Sequence, residues 1–223
     1  MDPVSLRRPV ARIARPAMSP AQPLPRAVPR VGLFGGSFNP AHDGHLHATR
    51  EALRRLRLDK VVWLVSPQNP LKTRSGMASF ADRFASARRV AAADPRIEVS
   101  DYEEQKNLRF SVDTITGLAR DPSRRHVWII GADNLIQLPR WKHWLRLFHA
   151  CPVAVIARAP YLERAGLGLV ARRFAGARLD ERQAHVLADL CPPAWVLLHH
   201  PLHPASSTAI RLRAEAAWQE RSK

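Results

Sequence analysis

Gly32-Leu33-Phe34-Gly35-Gly36-Ser37-Phe38-Asn39-Pro40-Ala41-His42-Asp43-Gly44-His45-Leu46 decides the reading of this chain. An apolar run, Val31–Phe34, stops at a glycine pair, and a His-x-Gly-His tetrapeptide then opens an amphipathic segment. Strand, loop and helix in that order form a unit of a doubly wound sheet. Gly35 and Gly36 present no side chain to block a phosphate from the backbone. Ser37 and Asn39 supply hydrogen bonds, Pro40 stiffens the exit, and Gly44 lets the helix start close to a ligand. His45 falls in the first helical turn, where unpaired N–H groups favour an anion, and His42 can face the same point. The loop is neither Gly-x-Gly-x-x-Gly nor a Walker A sequence.

Outward from this segment, apolar runs alternate with helical stripes. Val61–Val65, Ile97–Val99, Val127–Ile130, Val153–Ile156 and Trp195–Leu198 read as strands. Leu46–Leu56, Phe80–Ala92, Val112–Leu118 and Ser206–Trp218 read as helices, the last capped by Ser206 or Ser207. Near-continuous apolar strands between helices predict an α/β fold, a Rossmann-like doubly wound parallel sheet with helices on both faces. Ligands then bind at the carboxyl ends of the strands, so the loops after Phe34, Val65, Ile130 and Leu198 carry the interest. Residues 159–189 are basic and helix-like, without a readable motif.

The 223 residues suffice for one buried domain, assigned to 30–223. Residues 1–29, with seven prolines, read as a disordered extension. No apolar run approaches the length of a membrane span, so the sequence predicts a cytoplasmic protein with no membrane partner. Cys151 and Cys191 read as reduced, partly buried thiols, and no paired-cysteine spacing supports a zinc site. The net charge of +16 divides into +5 over residues 1–30 and +11 over the rest. That excess suits nucleotide phosphates or nucleic acid. No basic stripe with interleaved aromatics supports the nucleic-acid alternative, so no nucleic-acid partner is expected.

Gly35-Gly36-Ser37-Phe38-Asn39-Pro40 followed by His42-x-Gly44-His45 resembles the signature of the nucleotidyltransferase superfamily with the (His/Thr)-x-Gly-His motif. Within it the chain is similar to the bacterial nicotinate-nucleotide adenylyltransferases from about Val31 to Arg213. Phe110-Ser111-Val112-Asp113-Thr114 resembles their Tyr-Thr-x-Asp-Thr segment, with Phe for Tyr and Ser for Thr. Ala205-Ser206-Ser207-Thr208-Ala209-Ile210-Arg211 resembles their Ile-Ser-x-Thr-x-Ile-Arg motif. Trp141, after Pro139-Arg140, resembles the tryptophan that stacks on the nicotinate ring.

The resemblance implies adenylyl transfer from ATP to nicotinate mononucleotide, giving deamido-NAD and pyrophosphate in NAD biosynthesis. It implies catalytic roles for His45, His42, Lys72 and Arg211. ATP would meet Gly35, Gly36, Ser37, Phe38, His42, His45, Gly131, Asp133, Ser206, Thr208 and Arg211. Nicotinate mononucleotide would meet Asn39, Lys72, Ser111 and Trp141. Mg²⁺ would arrive with ATP rather than in a protein metal site. The second enzyme reading is a phosphopantetheine-type adenylyltransferase, which has no counterpart to Trp141 and its surroundings. A homo-oligomer is compatible with the sequence.

Overall fold

The computed structural model describes residues 28–67, 76–156, 161–199 and 203–221. The sequence-predicted extension at 1–29 lies almost wholly outside them, as does Lys72.

The chain begins with β1 (Arg30–Gly36), α1 (Asp43–Arg55) and β2 (Lys60–Val65). Then come α2 (Phe80–Ala91), β3 (Ile97–Ser100), a single-turn α3 (Tyr102–Gln105) and α4 (Ser111–Leu118). After β4 (Arg125–Gly131) follow α5 (Ala132–Gln137), a 3₁₀ turn over Leu138–Arg140, α6 (Trp144–Ala150) and β5 (Val153–Ile156). Next are α7 (Leu162–Leu167), α8 (Leu169–Arg173), two 3₁₀ segments (Ala175–Ala177 and Glu181–Asp189), β6 (Trp195–Leu198) and α9 (Ser207–Arg221).

The six strands pair in parallel in the order β3-β2-β1-β4-β5-β6. The order reverses direction between β1 and β4, which opens a crevice at their carboxyl ends. Side chains alternate across the sheet into two cores. Val61, Trp63, Val127, Ile129, Ala154 and Val196 pack with Leu46, Leu53 and Ala87 on one face. Val31, Leu33, Trp128, Ile130, Val155 and Trp195 pack with Ile115, Leu135 and Phe148 on the other. Strands buried on both sides carry apolar residues at nearly every position, which is why their runs are continuous.

Residues 162–189, from the stretch without a motif, cross between these layers. Val170 and Phe174 enter the second core, and Ala184 and Leu187 enter the first. Both cysteines are free thiols; Cys151 is buried as expected, but Cys191 is exposed. No described helix is long and apolar enough to cross a membrane.

Candidate active site

β1 runs two residues further than the apolar pattern predicts. Gly35 and Gly36 still pair with Leu64 and Val65. A Cβ on Gly35 would meet nothing within 4 Å, so its backbone is open to approach. Helix α1 starts three residues earlier than its apolar stripe, because His42 is its N-cap. His42 Nδ1 accepts from Gly44 N–H at 3.1 Å, and His45 Nδ1 accepts from His42 N–H at 3.2 Å. This is a capping box built from imidazoles. With Nδ1 accepting, each neutral ring carries its hydrogen on Nε2, where it is a donor. The ring centroids stand 3.9 Å apart.

Gly44 serves this arrangement rather than a ligand directly. A Cβ there would fall 2.8 Å from the His42 ring and 3.0 Å from the Ala205 carbonyl oxygen. The residue lets the His42 ring fold over the helix start and lets the segment before α9 approach it. Below, Phe38 lies in the core with φ 46°, its ring stacked on Trp63 at 4.9 Å and 5.0 Å from His45. Trp63 Nε1 donates to Thr49 Oγ1 at 2.8 Å, and that hydroxyl donates to the His45 carbonyl at 2.8 Å. His45 thus stands on a packed, hydrogen-bonded floor.

The carboxyl ends of β1 and β4 open on a cleft of about 790 Å³. Its walls include Gly35, Gly36, Ser37, His42, His45, Ser111, Gly131, Asp133, Trp141, Ser206, Thr208 and Arg211. These expected site residues, from five regions of the sequence, meet in one cavity. Two others do not. The Phe38 side chain belongs to the core beneath the wall, which leaves only its backbone for a nucleotide contact. Asn39 is 7 % exposed; its amide donates to the Gly76 carbonyl and accepts from Ala78 N–H. It fastens the chain at 76–78, and its side chain is not part of the cleft wall.

The α9 end is tied to the first loop. Ser206 Oγ caps the helix by accepting from Ala209 N–H at 3.2 Å. Ser207 Oγ donates to the Pro40 carbonyl at 2.9 Å, and Arg211 Nη1 donates to the Asn39 carbonyl at 2.6 Å. Arg211 therefore holds the loop and faces the cleft at once.

On the other side Trp141 is not on a helix. It ends the 3₁₀ turn in extended conformation, and α6 begins only at Trp144. Its ring lies 6.0 Å from Trp128, and its Nε1 is buried with no hydrogen-bond partner among the described residues. Four charged residues that motif reading passed over also line the cleft: Glu103, Arg109, Arg140 and Lys142. Lys142 Nζ sits 4.3 Å from the centre of the Phe110 ring, a cation on the face of the aromatic that replaces Tyr. Burial pushes the Glu103 carboxyl above the ordinary range, against hydrogen bonds from the Thr114 and Ser66 hydroxyls. Thr114 reaches it at 2.9 Å.

A cytidylyltransferase-like family model matches residues 33–213. The chain belongs to that family. A protein of Parvibaculum lavamentivorans named "probable nicotinate-nucleotide adenylyltransferase" is 50 % identical over 185 residues, 82 % of this chain and 92 % of that one. One of a Caulobacter species with the same name is also 50 % identical, over 82 % of this chain and 97 % of its own. Within the family, the chain belongs with the nicotinate-nucleotide adenylyltransferases. The nicotinic acid mononucleotide adenylyltransferase of Plasmodium falciparum shares the fold at TM-score 0.58 and 14 % identity, over 81 % of each chain.

Proposed function

We propose that this chain transfers the adenylyl group of ATP to nicotinate mononucleotide, giving nicotinate adenine dinucleotide and pyrophosphate. One observation carries the reading: the Nδ1-tied pair His42 and His45 shares a cleft with Trp141, Ser111 and Asp133. Imidazole donors for phosphates and an aromatic wall for a flat ring thus lie in one space.

A phosphate oxygen of the mononucleotide attacks the α-phosphorus in line, and the bond to the β-phosphate breaks with pyrophosphate leaving. The attacking oxygen is already anionic, so catalysis consists of positioning and of neutralising charge on the α-phosphoryl oxygens. His45 Nε2–H is the main donor to that charge, and His42 orients the triphosphate. Thr208, Arg211 and the α9 start, capped by Ser206, hold the leaving phosphates, joined by Lys72 from outside the described residues. Gly131 and Asp133 take the adenosine side. Ser111 and Trp141 take the nicotinate side. Among the described residues the cleft's carboxylates are Glu103 and Asp133, a donor set too small for a cage and suited to Mg²⁺ that arrives on ATP. The reaction belongs in the cytoplasm, where both substrates are soluble.

Pyrophosphate release from ATP tests the reading. Release with nicotinate mononucleotide, and much less with the amide, supports it; release only with phosphopantetheine would replace it.

A further inference from the structure

Helix α2 carries Arg83, which is 2 % exposed. Its guanidinium reaches four backbone carbonyls. Nη1 donates to Ser37 at 2.8 Å and to Ser66 at 2.7 Å, Nη2 to Pro67 at 2.9 Å, and Nε to Ala78 at 3.2 Å. Its carbon also lies 5.5 Å from the centre of the Phe80 ring. No carboxylate pairs with it among the described residues, and Glu104 acts on it only through space. Burial works against its charge, yet a guanidinium keeps its proton. A buried cation held only by carbonyls is unusual, because carbonyls solvate the charge without cancelling it.

Its position gives this a purpose. Ser37 and Ser66 both line the cleft, one after β1 and the other after β2. A single nitrogen thus joins the exits of two strands directly behind the phosphate side. The trans peptide between Ser37 and Phe38 has its carbonyl turned to Arg83, so the Phe38 N–H points to the opposite edge. That N–H has no acceptor among the described hydrogen bonds.

We infer that Arg83 is a positioning residue for adenylyl transfer: it fixes the Ser37–Phe38 peptide at the cleft that Ser37 lines, with the Phe38 N–H turned away from the guanidinium and open to an acceptor, and sets an uncancelled positive charge behind it. The inference rests on the adenylyl-transfer reading. R83K keeps the charge and loses the fork; R83Q loses both. With kcat normalised to the folded fraction from thermal unfolding, R83K should fall about tenfold and R83Q about 10²-fold, the size that slight misplacement behind a site produces. A purely structural arginine would lower the folded fraction and leave kcat per folded molecule unchanged. Folded R83Q with wild-type kcat overturns the inference while leaving the reaction intact; an unaltered protein without transfer activity removes both. If neither variant folds, amide hydrogen exchange on the unaltered protein decides. The Phe38 amide should slow when ATP and Mg²⁺ are added, and an unchanged rate overturns the proposal.

Discussion

Arg83 and Arg125 are both buried arginines, at opposite ends of the sheet, and they are satisfied in opposite ways. Arg125 opens β4 beside Arg30 of β1, its register partner. Asp189 answers both, accepting from Arg125 at 2.6 Å and from Arg30 through its two oxygens. Where strands begin, charge is paired, two guanidiniums to one carboxylate. Arg83 sits where β1 and β2 end, and receives carbonyl dipoles instead of an anion. On the proposed reading, the amino end of the sheet is built to be stable, and the carboxyl end to leave positive charge for an incoming polyanion.

The sharpest way to break this contrast is at Asp189. D189N leaves the buried Arg125 and the partly buried Arg30 without their carboxylate and should cost about 3–5 kcal/mol in a denaturant melt. Activity per folded molecule should hold; a fall in kcat would mean the two ends are not separate. At the other end, H45A should reduce kcat by about 10²-fold or more, the cost of losing one preorganised donor to a developing oxyanion. A near-normal rate would take His45 out of the mechanism. Trp141→Ala should raise KM for the mononucleotide about tenfold with little change for ATP, as expected of one lost stacking contact. An effect confined to ATP would move the tryptophan to the other subsite.

The smallest effect belongs to Asp94, near the start of β3. The Arg96 hydrogen bond overcomes burial and holds its carboxyl at about 2, below the ordinary 3.8. A depressed carboxylate contributes stability above its unfolded value and loses it as pH falls through the folded one. D94N should therefore lower the Tm at neutral pH, and the gap should close as pH falls from about 3.8 to about 2, with kcat unaffected.

The sequence reveals the strands most clearly, because burial on both faces leaves no polar position to interrupt them. Val153–Ile156 and Trp195–Leu198 match the structure residue for residue. Boundaries fail where a residue type has two uses. Glycines carry no strand pattern, so β1 reads short. Histidine is not among the usual caps, so α1 reads late. Asn39 and Phe38 sit inside the phosphate-loop motif, yet one fastens a neighbouring segment and the other fills the core. Arg83 is unreadable in sequence: Arg88 and Arg89 share its helix, and residue type cannot say which guanidinium turns inward. Glu103 is hidden likewise, on a helix of one turn.

The hydrogen bond from Arg211 to the Asn39 carbonyl spans 172 positions of the chain. A ribosome making this protein releases the imidazole pair long before the guanidinium that braces the loop leading to it. On the proposed reading, nucleotide capture waits until synthesis has passed α9, and a fragment ending before that helix should fold its sheet yet remain blind to ATP.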